Sequence, residues 1–481
     1  MSAPPAAGRS NLDAILSQAR ADRERLDSGA VGFVSLTALG VAAVVGAGIF
    51  VTTGVAASQY AGPAVVISFI LAGIAAAATS LCYAEMAAMI PAAGSTYSYA
   101  FASFGTLLAW VIGWDLLLEY LFGASTVAVG WSGYFVSLLD SIGITVPHAL
   151  TTAPFGKDPG IVNLPAVLIV LSMCGLLAFG MRESAKANNG LVALKLGVLV
   201  AFILIGAWFI KDANWKPFVP LNEGGFGDYG WSGVLRAAGV VFFAYIGFDA
   251  VSTAAAEARN PKKTIPLGLL ATVAISTALY VAIATVMTGM VSYKALDVAD
   301  PLSAAIHAAG PSLAWFDSIV SLSAVVGLAA TIMVVFYGQT RILMRMASDG
   351  LLPDALGKVS GTRQTPVVAT TVCALGGALI AGFVPIAALT NLVSIGTLFA
   401  FVIVSSAVVA LRRNRPELER PFRVPALPLV AGVAIVFSVA LIVMLPVATW
   451  IRLFVWLAIG LTIFFAWGRA NSRVRMAALP D

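Results

Sequence analysis

The run Val44-Val45-Gly46-Ala47-Gly48-Ile49-Phe50 constrains this chain more than any other, because it interrupts an apolar segment long enough to cross a bilayer. Glycine lacks the Cβ that restricts backbone angles, so two glycines in three residues are typical of a point where a helix stops and restarts. In hydrocarbon, an unpaired backbone group costs several kcal/mol unless it is buried in protein or lines a polar cavity. The run therefore predicts either a ligand site at a broken membrane helix or a glycine-rich face on which helices pack closely.

Composition places the chain among multi-pass membrane proteins. Of its 481 residues, 60% are hydrophobic and only 11% are charged, whereas soluble domains carry about 25% charged residues. A net charge of +5 would suggest a nucleic-acid partner for a soluble protein. Here it fits basic cytoplasmic loops, so we expect the bilayer as a partner and no nucleic acid.

Cysteine and histidine indicate neither a disulfide framework nor a metal centre. Cys82, Cys174 and Cys373 all lie in apolar segments, where a thiol behaves as a small hydrophobe. His148 and His307 fall in loop-like or interfacial stretches, without Cys, Asp or Glu at metal-ligand spacing. We therefore expect no metal and no cofactor.

Hydropathy predicts twelve membrane spans. They lie near residues 33–58, 62–90, 97–142, 161–181, 188–210, 232–256, 265–290, 313–340, 366–384, 388–411, 426–447 and 450–468. The third is too long for one ordinary crossing and short for two with a loop, so we interpret it as one long tilted helix or a helix pair. Residues 1–30 are polar and lack a signal-peptide pattern, which predicts a surface helix or a disordered tail.

The basic residues support this even number of spans. With the N-terminus in the cytoplasm, 21 of the 28 Lys and Arg residues fall in cytoplasmic segments and 5 fall outside. Missing one span in mid-chain would abolish this bias. The pattern therefore predicts that both termini are cytoplasmic.

A faint internal repeat links the glycine run to the sixth span. That span carries Phe242-Phe243-Ala244-Tyr245-Ile246-Gly247-Phe248-Asp249, about 200 residues after the glycine run. Five spans separate the two equivalent points, so the second set must run in the opposite sense. Two interrupted helices at corresponding positions of inverted halves indicate the midplane site of a transporter.

Lys195 is the ionisable residue that stands out within the spans, because no charged residue lies within eight positions of it. One interpretation is that the amine extends along the helix to the lipid headgroups. The other is that it faces the helix bundle, beside the carbonyls of a broken helix, where it does the electrostatic work of a bound sodium ion. Losing and regaining a proton there would couple transport to the proton gradient.

Acidic residues supply further candidates. Asp115 and Glu119 are four apart and share one face of the third span. Glu119 is a candidate partner of Lys195 in proton exchange, and the alternative for both acids is a structural carboxylate bonded to a neighbouring helix. Glu85, near a cytoplasmic end, is interpreted as structural. Asp249 and Glu257 follow the sixth-span interruption, where capping or gate pairing is the ordinary role, and Phe243 at the interruption is placed to close over a ligand.

Taken together, five motifs resemble the amino acid–polyamine–organocation superfamily, and the last two narrow the resemblance to bacterial members of its cationic amino acid transporter branch. The motifs are Gly46-Ala47-Gly48-Ile49-Phe50, Leu81-Cys82-Tyr83-Ala84-Glu85-Met86, Gly113-Trp114-Asp115-Leu116 through Glu119-Tyr120, Phe242 to Val251, and Tyr337-Gly338-Gln339-Thr340-Arg341 through Asp349-Gly350-Leu351-Leu352-Pro353. The similarity covers about residues 30 to 470.

The resemblance implies an all-α integral membrane fold with a LeuT-type five-plus-five inverted repeat, discontinuous helices 1 and 6, and twelve transmembrane helices. The chain then divides into an N-terminal tail, a first repeat, a second repeat, two further helices and a C-terminal tail. These units are residues 1–30, 31–211, 212–412, 413–470 and 471–481.

The resemblance also implies the site. In the family, backbone groups at the two breaks hold the α-carboxylate and α-amine of an L-amino acid. The matching positions here are Val44, Ala47, Gly48, Phe243, Ala244 and Ile246, with Phe243 as an aromatic gate. Lys195 matches the family lysine at the sodium-site position of proton-coupled members, and Glu119 matches the carboxylate associated with it. Ala47 stands where the family often has Ser or Thr, so one hydroxyl contact is missing.

The expected substrate is a neutral, small to medium L-amino acid such as alanine, taken up with protons across the bacterial plasma membrane. Val335 and other apolar residues surround the expected side-chain pocket, and a lysine- or arginine-selective pocket would need an acid or an unoccupied carbonyl there. The alternatives are an amino acid, cationic amino acid or polyamine exchanger, or a sensor that binds without transport. An enzyme is not expected, since no nucleophile–base pair is apparent. The loop between spans three and four lacks Cys, which argues against a disulfide-linked accessory chain.

Overall fold

A computed structural model of the chain describes residues 32–46, 48–90, 95–155, 158–179, 185–248, 251, 259–360 and 365–472. Within these ranges every regular element is helical. The principal helices are α1 Phe33–Val44, α2 (π-helical Gly48–Thr52, α-helical Thr53–Ala56 and π-helical Ala57–Ala61), α3 Val65–Met89, α4 Ser95–Phe104, α5 Thr106–Ser141, α6 Leu164–Ala178, α7 Ala185–Gly206, α8 Gly230–Val241, α9 Pro261–Met290, α10 Pro301–Ala309, α11 Ala314–Ser348, α12 Val367–Phe383, α13 Ile386–Asn414, α14 Leu427–Met444 and α15 Val447–Ile463. Short helical pieces lie at Gly62–Ala64, His148–Leu150, Ala207–Phe209, Asp212–Trp215, Phe242–Tyr245, Tyr293–Leu296, Pro311–Leu313, Asp354–Gly357, Phe464–Gly468 and Arg469–Asn471.

Eight helical segments in the described part of the chain are long and apolar enough to cross a membrane. They are Gly48–Met89, Thr106–Ser141, Val192–Phe209, Lys262–Met290, Pro311–Ser348, Ile386–Asn414, Leu427–Met444 and Val447–Asn471. Three shorter helices, α1, α6 and α12, are also apolar. The protein is therefore an all-helical, multi-pass membrane protein.

The long third apolar segment contains two helices, the short α4 and the long α5, and α5 alone is long and apolar enough to cross a membrane. Helix α5 has 36 residues, which corresponds to about 54 Å at 1.5 Å per residue. It begins at Thr106 and not near Tyr97, because Gly105 adopts a φ of 84° that separates it from α4. Helix α5 packs extensively against α11 and α13 and so lies at the centre of the bundle.

The first apolar span is interrupted where the glycines predicted it. Helix α1 ends at Val44, and Val45 leaves helical geometry with a ψ of 84°. The amide of Gly46 turns back to the carbonyl of Val44 at 2.9 Å. Helical geometry resumes at Gly48, as a π-helix whose hydrogen-bonding pattern is wider than that of an α-helix. Ala47, between the two halves, lies outside the described residues.

The sixth span is interrupted as well. Helix α8 ends at Val241 and tightens into a 3₁₀ turn over Phe242–Tyr245. Ile246 is then extended, with a ψ of 138°, and Gly247 adopts a φ of 101° that residues with a Cβ rarely take. Helical hydrogen bonding therefore ends between α8 and the chain that follows. Asp249 and Glu257 lie outside the described residues.

Candidate functional site

The two interruptions pack directly against each other. A Cβ built on Gly48 would lie 2.2 Å from the Cα of Ala244 and 2.5 Å from its Cβ. Only glycine at position 48 therefore permits this approach of the two backbones. The structure brings together Gly48 and Ala244, two of the residues that the sequence assigned to substrate binding, and in this conformation their backbones fill the space between them.

Tyr280 of α9 links both interruptions. Its hydroxyl lies 2.9 Å from the carbonyl oxygen of Val44 and 2.8 Å from that of Ala244. A phenol has one proton, so it donates to one of these carbonyls at a time. The ring is fully buried and packs against Phe69 and Tyr245, with centroids 5.4 and 5.6 Å away. Carbonyls freed at the ends of two helices thus share a single donor.

Lys195 of α7 places its ammonium group at the end of α1. Its Nζ donates to the carbonyl oxygen of Val45 at 3.3 Å and to the hydroxyl of Thr331 at 3.5 Å, and the residue is 4% exposed. Thr331 in turn donates to the carbonyl of Gly327 at 3.0 Å. Lys195 thus faces the helix bundle, and the alternative in which its amine extends to the headgroups does not describe this structure.

Gly327 makes room for the lysine stem. A Cβ at this position of α11 would lie 2.4 Å from the Cδ of Lys195 and 2.7 Å from its Cγ. On the next turn of α11, Thr331 lies close to Gly46, whose built Cβ would be 3.5 Å from the threonine methyl. The stem of Lys195 therefore runs in a groove on α11 that leads to the interruption of the first span.

Glu119 of α5 lies at a small enclosed space that we call the inner cavity. The residue is 8% exposed. The inner cavity is lined by apolar side chains and by Tyr83, Thr96, Glu119, Ile246, Gly247 and Thr397. Glu119 is thus placed beside the residues that follow the interruption of the sixth span.

Lys195 and the part of α5 that carries Glu119 contact α11 at different heights along its axis. Gln339 donates to the carbonyl of Leu117, two residues before Glu119, at 3.4 Å. Thr331, a partner of Lys195, precedes Gln339 by eight residues, which corresponds to about 12 Å along the helix. The pairing of Glu119 with Lys195 stays a prediction.

The other acids have different surroundings. Glu85 is 1% exposed and binds Arg412 and the amide of Val424, so its interpretation as a structural residue agrees with its contacts. Asp115 is fully buried, and within the described ranges neither of its carboxyl oxygens has a hydrogen-bond partner. The expected hydrogen bond from Asp115 to a neighbouring helix is therefore not found among the described residues. Its Oδ1 would lie 3.0 Å from a Cβ at Gly396 of α13.

The remaining predicted residues are placed as follows. Phe243 is 6% exposed and lies in the 3₁₀ turn, and Ile246 is half-buried just after it. Val335 is half-buried on α11, one turn beyond Thr331. Ala47 cannot be placed because it is outside the described residues.

Sequence reasoning missed Tyr280 and Thr331. A tyrosine in the middle of an apolar helix was a usable signal, since membrane tyrosines concentrate at the two interfaces. Thr331 gave no comparable signal, because threonine is common in membrane helices, where its hydroxyl bonds to its own backbone. Only the fold shows that both side chains point at the interrupted spans.

Comparison with known proteins agrees with this architecture. A family model described as amino acid permease matches residues 31–467. The chain is 44% identical over 448 residues to the branched-chain amino acid permease BcaP of Bacillus subtilis (strain 168), covering 92% of this chain and 94% of the relative. It is 42% identical over 441 residues to the methylthioribose transporter of the same organism, covering 91% and 93%.

A plant protein is also similar. The vacuolar cationic amino acid transporter 2 of Arabidopsis thaliana is 36% identical over 391 residues, covering 80% of this chain and 60% of that protein. The relatives are transporters and not enzymes. The family model and the bacterial relatives both extend over nearly the whole chain, and the family implies a LeuT-type fold. The chain therefore belongs to the amino acid permeases of the amino acid–polyamine–organocation superfamily.

Proposed function

We propose that this permease is a proton-coupled importer of neutral, small to medium L-amino acids such as alanine, working by alternating access around its two interrupted spans. The observation that carries the proposal is the position of Lys195, whose ammonium binds the carbonyl of Val45 at 3.3 Å in a buried setting. In this proposal the chain has twelve transmembrane helices in a five-plus-five inverted repeat with two further helices. It lies in the bacterial inner membrane with both termini in the cytoplasm.

The substrate backbone is held at the two interruptions. Helix α2 begins at Gly48, and the first amides of a helix carry a partial positive charge that favours a carboxylate. The carbonyls of Val44 and Ala244 accept from Tyr280 in this conformation, and they are the acceptors that an α-ammonium group needs. Substrate entry thus requires Gly48 and Ala244 to separate, and an α-ammonium group that binds both carbonyls requires Tyr280 to release the one to which it donates. Ala47 completes the proposed set of backbone contacts.

Lys195 couples this site to protons. Protonated, its ammonium binds the end of α1 through Val45, where a sodium ion would otherwise neutralise the freed carbonyls. Deprotonated, the amine loses its charge, and the charge-assisted hydrogen bond to Val45 weakens. The two protonation states therefore hold α1 against α7 and α11 with different strength, which is the differential interaction that a switch between conformations requires. Glu119 is the proposed second proton-exchanging group.

Apolar side chains favour a neutral substrate. Phe243 lies in the 3₁₀ turn that follows α8 and Ile246 directly after that turn, and Val335 lies on the face of α11 that includes Thr331. An apolar pocket offers nothing to a charged side-chain terminus, which would have to be desolvated there. The name of the branched-chain amino acid permease, 44% identical, extends the proposed range to larger aliphatic side chains.

The second candidate is an exchanger of cationic amino acids or polyamines. It is favoured by Glu119, a buried carboxyl group beside Ile246 at the inner cavity, since an acid at that point can receive a distal ammonium group. In that case Lys195 only holds the fold. A sensor that binds amino acids without transporting them is a third outcome. No disulfide-linked accessory chain is proposed, because all three cysteines are free and buried.

Uptake into proteoliposomes separates these functions. The proposal predicts accumulation of labelled alanine or valine in empty vesicles, increasing with an inward proton gradient. Strict dependence on internal substrate would indicate the exchanger, and stabilisation of the purified protein by amino acids without any uptake would indicate the sensor. A thermal-shift panel of the twenty amino acids identifies the substrate class independently, and stabilisation by arginine and lysine alone would contradict the neutral preference.

A further inference from the structure

The inner cavity is lined by Glu119 and by three residues that carry hydroxyl groups. Tyr83 from α3, Thr96 from α4 and Thr397 from α13 line it together with the carboxyl group. The three hydroxyl-bearing residues are 1%, 1% and 2% exposed. Apolar side chains form the rest of the wall. Four residues with polar side chains, from four different helices, therefore line one small space whose other lining side chains are apolar.

The inner cavity has the size and polarity of a water site. It has room for about one water molecule, and a buried water needs roughly two to four polar partners. Glu119, Tyr83, Thr96 and Thr397 supply that number. Thr397 keeps its own proton on the carbonyl of Val393 at 3.0 Å, so its oxygen is free to accept from a water.

Two of these hydroxyls form a path away from Glu119. The phenol of Tyr83 and the hydroxyl of Thr96 lie 2.7 Å apart, and either can be the donor. The ring of Tyr83 is fixed by edge-to-face contacts with Phe248 and Phe401, both at 5.5 Å. Thr96 is the second residue of α4, which lies on the proposed cytoplasmic side of the bundle.

The following inference rests on the proposed proton-coupled function and concerns the site of proton release. We propose that the inner cavity holds a water molecule that takes the proton of Glu119 and passes it through Tyr83 and Thr96 toward the cytoplasm. The O–H bond of the carboxyl group breaks as a new O–H bond forms on the water. The water gives another of its protons to the phenol oxygen of Tyr83, the phenol gives its own to Thr96, and Thr96 gives its original proton to bulk water on the cytoplasmic side. Each hydroxyl ends with one proton, and one proton has moved.

The groups that face Glu119 are consistent with this route. Asp115 lies one turn away on the same helix, and a negative charge on it would oppose proton loss from Glu119, so release along this route is favoured when Asp115 is neutral. Helix α3 contributes Tyr83, α13 contributes Thr397, and the segment after α8 contributes Ile246 and Gly247. Within the described ranges, no Lys or Arg lines the inner cavity.

A matched pair of substitutions on α13 tests the inference. Thr397→Val removes a hydroxyl from the inner cavity while keeping the shape of the side chain. Thr390→Val removes a buried hydroxyl from the same helix, one that bonds to its own helix at Ala387 and does not line the inner cavity. Tyr83→Phe interrupts the path to Thr96 and keeps the ring contacts. The readouts are proton flux, by an internal pH-sensitive dye, and substrate counterflow at equal pH on both sides.

Thr397→Val and Tyr83→Phe are expected to slow substrate-coupled proton flux by roughly tenfold or more, since positioned proton transfer contributes 10² to 10⁴ in rate. Counterflow, which needs no net proton release, should stay within about twofold of wild type, and Thr390→Val should match wild type in both assays. Wild-type proton flux in both cavity variants would overturn the inference and leave the proposed function intact. An equal loss of counterflow and proton flux would also overturn the inference, because it would indicate a structural role for these side chains. Absence of substrate-coupled proton flux in the wild type would overturn the proposed function and this inference together.

Discussion

Gly327→Ala should uncouple transport from protons without touching substrate or ammonium group directly. The new methyl group would lie 2.4 Å from the Cδ of Lys195 and 2.7 Å from its Cγ, whereas carbon atoms in contact are about 3.5 to 4.0 Å apart. The lysine stem must therefore move by roughly 1.1 Å or more. Its Nζ already lies 3.3 Å from the carbonyl of Val45, so that displacement ends the hydrogen bond.

The magnitude follows from the type of bond lost. A hydrogen bond to a charged group contributes about 1.5–3 kcal/mol, which corresponds to roughly 10- to 150-fold in an equilibrium constant. We therefore expect the initial rate of uptake driven by an inward proton gradient to fall by that factor. Counterflow at symmetrical pH should fall much less, because it does not require the proton step.

The matched control is Gly197→Ala. Gly197 lies two residues after Lys195 on the same helix, and a Cβ there meets nothing within 4 Å. It should leave both assays unchanged. If Gly327→Ala, folded with a wild-type melting temperature, showed wild-type uptake and the wild-type response to pH, the role given to the position of Lys195 would be wrong.

Three further substitutions test other parts of the structure. Tyr280→Phe leaves the buried carbonyls of Val44 and Ala244 without their donor and should destabilise this conformation by about 1–3 kcal/mol, measured as a lower melting temperature; an unchanged melting temperature would contradict this. Gly460→Ala places a methyl group 2.3 Å from the Cδ1 of Trp114 and should destabilise the protein by about 1–3 kcal/mol in a thermal-shift assay, whereas Gly432→Ala, which meets nothing within 4 Å, should not. Burial raises the pKa of Asp300 in the folded protein, so the folded state favours the protonated carboxyl group. The stability that this preference contributes is fully present below the unfolded pKa of about 3.9, and it is lost as the pH rises through the folded pKa. Asp300→Asn should therefore melt at a higher temperature than wild type at pH 7, with a difference that shrinks toward pH 4; a difference independent of pH would contradict this sign.

The local sequence predicted an interruption of the first span as one of two alternatives, the other being a glycine-rich packing face. Glycine at positions 46 and 48 within a bilayer-length apolar segment is a backbone signal that does not depend on distant residues. The requirement at Gly48 is stronger than the sequence suggests, because Ala244 packs onto its Cα. The start of α5 was misplaced because the apolar pattern continues through Gly105, and only the backbone angle of that residue separates two helices.

Side-chain direction was the part that the sequence left open. Lys195 was identified as unusual, but its two interpretations differ by the rotation of α7, which is set by packing against Gly327 and Thr331 of α11. The partners of Glu119 depend in the same way on the register between α5 and its neighbours. Contacts between elements that are far apart in sequence cannot be read from one chain, so the position of Tyr280 in mid-helix could have marked it as unusual but not shown its two carbonyl partners.

The most direct test of the account compares substrate and proton fluxes in proteoliposomes of the wild type and of Lys195→Ala. We expect the wild type to move protons with its amino acid substrate. The variant should lose proton-driven uptake while amino acid binding remains detectable by thermal shift. Wild-type uptake with a wild-type pH response in Lys195→Ala would contradict the central claim that the buried ammonium group at the end of α1 couples transport to protons.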